Sequence, residues 1–159
     1  MGCAPYSANV RHHVTAAEDI YYDLAPEEAQ ERLLELAGSG NHEAEFYLGH
    51  LADESSIDGA AGALVWYKKS AAGGLLEAKH YVASFTYHGM GTGQNVLAAV
   101  RLFRECAEAG LDASQWKLGQ HLLQFPECRV EALHWLTAAA GQGHTGAIEL
   151  LTEAGGRDV

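Results

Sequence analysis

A glycine returns along this chain at Gly40, Gly74, Gly110 and Gly143, at intervals of 34, 36 and 33 residues, and other positions keep register with it. Eleven places before each anchor stands an alanine: Ala29, Ala63, Ala99 and Ala132. Three places before it stand Ala37, Ala71, Ala107 and Ala140, and seven before it the large side chains of Leu33, Tyr67, Phe103 and Leu136. The place eight before holds Trp66, Leu102 and Trp135, with Arg32 as the exception. After the anchor, the fourth residue is small (Ala44, Ala78, Ser114, Ala147), the eighth apolar (Leu48, Val82, Leu118, Leu151), and the ninth is Gly49, Ala83, Gly119 or Thr152. A repeat of this length restricts the fold severely, because one unit cannot bury its apolar face alone and must stack on its neighbours.

The spacing inside a unit is helical. Ala63, Trp66, Tyr67, Ser70 and Ala71 fall at i, i+3, i+4, i+7 and i+8, one face of an amphipathic helix, and Ala44, Leu48 and Leu51 follow the same rule. Two such helices, turned about a glycine that serves as C-terminal cap, make a hairpin. Alanines let the backbones approach where helices cross, and Trp, Tyr, Phe and Leu fill the grooves between. Helices are therefore expected near residues 27–38, 42–53, 60–72, 76–88, 95–109, 112–124, 129–140 and 145–153. A further helix within 9–23 precedes Pro26, a residue suited to a first helical turn.

The run Ala63-x-x-Trp66-Tyr67-Lys68-Lys69-Ser70-Ala71 followed by Gly74-x-x-x-Ala78 resembles the Sel1-like repeat family, relatives of the tetratricopeptide repeats. Tyr87-His88-Gly89-Met90-Gly91 is similar to that family's aromatic and glycine loop. The resemblance spans residues 27 to 153. The chain departs from it in two loops, which read Ser55-Ser56-Ile57-Asp58-Gly59 and Phe125-Pro126-Glu127 without the paired glycines. What the resemblance implies is an all-α fold, a right-handed α–α superhelix or solenoid of Sel1-like, tetratricopeptide-like helical hairpins. Residues 1–25 would form an N-terminal segment with a capping helix. Residues 26–154 would form the repeat domain, three full hairpins plus flanking half-units, and 155–159 a tail.

Composition narrows the function. An apolar fraction of 48% over 159 residues suits one folded domain, and the 18 glycines mark regular turns. With 10 basic against 21 acidic side chains the net charge is -11, which repels phosphate backbones and anionic membranes and so argues against nucleic acid as a partner. Cys3, Cys106 and Cys128 form no CxxC pair and support neither a disulfide framework nor a zinc site, with Cys106 at a small-residue packing position. No membrane span and no export signal are visible, so the default expectation is a cytoplasmic protein. The alternative is a periplasmic lipoprotein, if Gly2-Cys3 is the remnant of a removed signal.

Fragments that imitate chemical motifs fail on context. Gly89-x-Gly91-x-Gly93 has Gln94 where a dinucleotide loop needs its third glycine, and it follows a helix instead of a strand. His42-Glu43 opens like a zinc-protease motif, but Phe46 stands where the closing histidine belongs, and His42 is expected to cap the next helix. Nine histidines invite a metal hypothesis, yet none pair at i, i+4, and His12 and His13 are adjacent, pointing apart on a helix. No cofactor, metal ligand or catalytic residue is assigned, and no enzymatic activity is expected.

The helix after each anchor lines the concave side in tetratricopeptide-like solenoids, a placement carried over from the resemblance. Off its core stripe lie Phe46, His50, Asp53 and Glu54 in the first unit, His80, Ser84, Tyr87 and His88 in the second, and Trp116 and Gln120 in the third. Phe46, His80 and Trp116 each stand six places after their anchor, a ladder of rings with carboxylates at its edge. Such rings either pack between helices or form a protein-binding surface. The expected function is a scaffold that binds another protein or peptide, one with a basic patch, as adaptor, regulator or inhibitor, an immunity protein against a bacterial toxin included. The alternative from another class is a metal-dependent or beta-lactam-binding hydrolase using the histidines. The resemblance links that role with cysteine-rich relatives, whose repeated cysteine pairs this chain lacks.

Overall fold

All four anchor glycines adopt positive φ, at +87°, +100°, +99° and +91° for Gly40, Gly74, Gly110 and Gly143, a backbone state that a β-carbon disfavours. Each ends the helix before it with the same two hydrogen bonds. Gly74 N–H donates to Ala71 O at 3.0 Å and Leu75 N–H to Ser70 O at 3.3 Å, and the pair recurs at Gly40, Gly110 and Gly143. This Schellman geometry satisfies the last carbonyls and reverses the chain in the same way four times. A computed structural model describes residues 16–54 and 59–155.

The described residues form α1 (Ala17–Asp23), α2 (Pro26–Gly38), α3 (His42–Glu54), α4 (Gly59–Ala72), α5 (Leu76–His88), α6 (Val96–Glu108), α7 (Asp112–Leu122), a 3-10 turn at Pro126–Cys128, α8 (Arg129–Gly141) and α9 (Thr145–Gly155), with no strand among them. The expected helices from residue 27 onward are met within two residues at each end. Of the helix expected within 9–23, the last seven residues form α1, and 9–15 lie outside the described residues. So do Gly2, Cys3, His12, His13 and the loop residues 55–58. Helix α9 extends through Gly155, one residue into the expected tail.

Hairpins α3–α4, α5–α6 and α7–α8 pack most extensively, α2 and α9 flank them, and α1 lies against both α2 and α3. Core side chains follow the repeat. Ala29, Ala63, Ala99 and Ala132 are wholly buried at the crossings, beside Leu33, Tyr67, Phe103 and Leu136, and so are Ala44, Ala78, Ser114 and Ala147 on the facing helices. Burying each of those four large side chains stabilises the stack by about 1.5–3 kcal/mol. Ser70, four places before its anchor, is buried and donates its hydroxyl to His42 O at 2.6 Å, so its one polar group is satisfied between α4 and α3. Cys106 occupies the same place in the next repeat, also buried, with Sγ 3.8 Å from Leu76 O.

The loop between α5 and α6 stays close to the body. Gly89 turns with φ +75°, Met90 N–H bonds Phe85 O at 2.9 Å, and a β-carbon on Gly91 would stand 2.5 Å from Ala60 O at the start of α4. Asn95 then caps α6, its side-chain oxygen accepting from Ala98 N–H at 3.0 Å. One expected cap is corrected: α3 is capped by Asn41, which accepts from Ala44 N–H at 2.9 Å, while the His42 ring pairs with Glu45 at 2.9 Å. His42 lies one place too far into the helix to reach back to those amides. At the position of α9 that matches Asn41, His144 faces Ala147 N–H, 3.3 Å from Nδ1.

Candidate functional site

Helices α1, α3, α5 and α7 share one groove. Its walls are Tyr22 from α1, Phe46, Tyr47 and His50 from α3, Glu77, His80 and Tyr81 from α5, and Leu111 and Ala113 at the start of α7, around a volume of ≈ 350 Å³. Residues six, seven and ten places after the anchor project beside the buried stripe at four and eight, so the periodicity that fills the core also lines the groove with rings. Phe46 meets His50 edge-on at 4.6 Å between ring centres and Tyr81 at 5.5 Å. His50 meets Tyr81 at 4.9 Å, Tyr81 meets the buried Tyr67 at 4.8 Å, and Tyr47 stacks on Tyr21 at 5.1 Å. The groove is thus lined by a connected aromatic cluster drawn from α1, α3, α4 and α5.

The three rungs of the expected ladder behave alike in one respect: each leans on the next odd-numbered helix. Phe46 packs on Tyr81, His80 places Nδ1 2.8 Å from Ser114 Oγ, and Trp116 stacks on His144 at 4.8 Å. Phe46 and His80 also line the groove, whereas Trp116 is drawn away from it onto α9, with its Nε1 buried and without a partner. The Lys117 ammonium sits 4.4 Å above the Trp116 ring.

Of the other expected site residues, His50 is in the groove, and Asp53 and Glu54 are exposed at the end of α3, where Tyr21 donates its hydroxyl to Glu54 at 2.9 Å. Tyr87, His88 and Gln120 line a second, smaller hollow of ≈ 50 Å³ together with Phe103, Lys117 and His121, and Tyr87 Oη lies 3.1 Å from His121 Nδ1. Ser84 is half-buried and lines neither hollow. Tyr22, Tyr47 and Tyr81 line the groove as well, although none stands at the six-place position that marks the ring ladder. Tyr47 and Tyr81 occupy the place seven after the anchor, which carries Lys117 in the third repeat, and a ring in two of three units was the signal available.

Burial governs the protonation of the groove. His80 is pulled down to about 4, first by burial and then by Lys117 and His144, against Asp112. Burial likewise lowers His50, although Glu54 and Asp53 act the other way. Tyr47 is pushed up to about 12, by burial first and then by the carboxylates of Glu18, Glu43 and Glu77, and Tyr21 to about 12 by burial and its bond to Glu54. At neutral pH the floor is therefore uncharged imidazole and phenol, and the formal charge acting on it is carboxylate, apart from Lys117 beside His80. Among the described residues no group of three or more His, Cys, Asp or Glu side chains is placed to hold a metal ion.

Stacked helical hairpins joined by identical glycine turns, with one groove along alternate helices, define an α-solenoid repeat protein. Two solved structures are similar to it over most of its length. One is a protective antigen of uropathogenic Escherichia coli strains that displays an SLR fold, 24% identical with a TM-score of 0.78, covering 90% of this chain and 32% of that one. The other is a Sel1 repeat protein from Oxalobacter formigenes, 23% identical with a TM-score of 0.74, covering 82% of this chain and 56% of that one. The fold is that of the Sel1-like repeat proteins, a right-handed α–α superhelix. The chain spans about a third of the first relative's length and just over half of the second's. No protein-family model matches the sequence, and no curated protein matches it. No helix among the described residues is long and apolar enough to cross a membrane.

Proposed function

We propose that this chain is a protein-binding scaffold, without a reaction of its own, that holds a segment of another protein against the groove of α1, α3, α5 and α7. The observation that carries this reading is the aromatic cluster itself. Phe46, Tyr47, His50 and Tyr81 present large, half-buried ring surfaces that the fold leaves uncovered. Rings of this kind supply contact area at low entropic cost and recur at binding hot spots. An extended segment fits a groove of this length better than a globular face does. The resulting roles are adaptor, regulator or inhibitor, and the acidic charge suits inhibition of a basic toxin.

The test is capture from an extract of the organism that encodes the chain. Wild type should retain a discrete partner, and the double variant Tyr47→Ala, Tyr81→Ala should lose it while keeping a cooperative thermal transition. The triple variant Phe46→Ala, His80→Ala, Trp116→Ala extends the test to the ring ladder. Folded variants that capture the same proteins as wild type would remove the groove as the binding site. Protection of cells from the product of an adjacent gene would narrow the role to inhibitor.

A further inference from the structure

The wall chemistry of the groove selects among ligands. Its surfaces are ring faces and edges from Tyr22, Phe46, Tyr47 and Tyr81, and its one charged wall residue is the exposed carboxylate of Glu77. Glu18 and Glu43 lie near enough to act on the Tyr47 phenol, and Glu54 and Asp53 on the His50 ring. Two cations flank this face: Lys117, near enough to act on the His80 ring at the α7 end, sits over the Trp116 ring, which does not line the groove, and Lys79 pairs with Glu105 at 3.2 Å. A cleft of aromatic faces ringed by carboxylates attracts a cation twice, through the ring quadrupoles and through the net negative field. A volume of ≈ 350 Å³ lies at the small end of the range for ligand pockets and suits one long side chain with its backbone.

Resting on the scaffold reading above, we propose that the groove receives an arginine side chain from an extended segment of the partner, its guanidinium laid on the tyrosine rings and paired with Glu77. Arginine fits these walls because its planar head stacks on aromatic faces and still presents a fork of donors to a carboxylate. The site is an anchoring pocket: Tyr47 and Tyr81 supply the stacking surface, and Glu77 with the outlying Glu18 and Glu43 supplies the charge.

The probe is a short Gly/Ser peptide carrying two arginines, titrated at low and moderate salt beside the same peptide with citrulline, which keeps the shape and removes the charge. Binding should be about tenfold weaker for the citrulline peptide. Tyr47→Ala should weaken the arginine peptide about tenfold, and Glu77→Gln about two- to fivefold. The double variant Glu28→Gln, Glu108→Gln removes two exposed carboxylates on α2 and α6, helices that do not line the groove, and should leave the affinity unchanged. Glu77 is exposed and its substitution leaves the core intact, so the test survives if Tyr47→Ala unfolds. Equal binding of the citrulline peptide, or equal weakening by the distant double variant and by Glu77→Gln, overturns the proposal. Partner capture that depends on Tyr47 and Tyr81 without any arginine-peptide binding would sink this inference alone and leave the scaffold reading standing.

Discussion

Gly49 on α3 lies against the ring of Tyr67 on α4, so closely that a β-carbon at Gly49 would stand 2.5 Å from Tyr67 Cε1. The missing methyl group is what lets a wholly buried tyrosine fill the crossing of the first hairpin. Gly119 and Leu136 repeat the arrangement in the third, with 2.7 Å to Leu136 Cγ. Adding a methyl group to a packed interior costs about 1–3 kcal/mol. Gly49→Ala and Gly119→Ala should each lower the unfolding free energy by that much, read as a lower urea midpoint, although alanine is the better helix former. Ala83, at the same register in the second hairpin, already carries the methyl group and is wholly buried beside Phe103, so Ala83→Gly should also destabilise, by lost packing and helix propensity.

Ser70 gives a second handle on the contact between α4 and α3. Its hydroxyl bonds His42 O at 2.6 Å with no exposure to solvent. Ser70→Ala leaves that carbonyl without the donor and should cost about 1–2 kcal/mol in chemical denaturation. Ser70→Val adds bulk at the same crossing and should cost more than Ser70→Ala. The reverse ranking would mean that the site has room to spare and that the hydroxyl, not the volume, governs it.

The pH dependence has a definite sign. Folded His80 holds its proton only below about 4, against 6.5 in the unfolded chain. Above pH 6.5 the ring is neutral in both states and its burial costs nothing. Between 6.5 and about 4 the unfolded chain takes up a proton that the folded one refuses, so stability falls as the pH drops, and below about 4 this loss stops growing. The total is about 3 kcal/mol, and His50 and His121, also lowered by burial, push the same way. Urea unfolding at stepped pH should show the decline, and His80→Gln should flatten it. An unchanged slope in that variant would place the acid sensitivity elsewhere.

The glycine register made the helices legible, because a cap at fixed intervals and methyl groups at crossings are local requirements that one column of residues satisfies. The groove was legible in part. Phe46, His50 and His80 could be placed by counting from the anchor, since the helix that carries them is regular. Tyr22 could not, because α1 has no anchor glycine before it and its register on α3 depends on how Ala17 and Ile20 pack. Trp116 was counted correctly along its helix but not across to the next. There His144 offers a stacking surface and Gly146 leaves room beside the indole, and both depend on how α9 crosses α7. Asn41, rather than His42, caps α3 for an equally local reason, a difference of one residue in reach.

Site-specific photocrosslinking separates the groove from the outer surface most directly. A benzophenone side chain introduced in place of Ala113 stands at the groove wall, and one in place of Val130, which is 84% exposed on α8, stands outside it. A discrete adduct is expected from position 113, abolished by the double variant Tyr47→Ala, Tyr81→Ala, and none from position 130 in the same extract. An adduct formed at 130 and not at 113 would contradict the groove as the binding site.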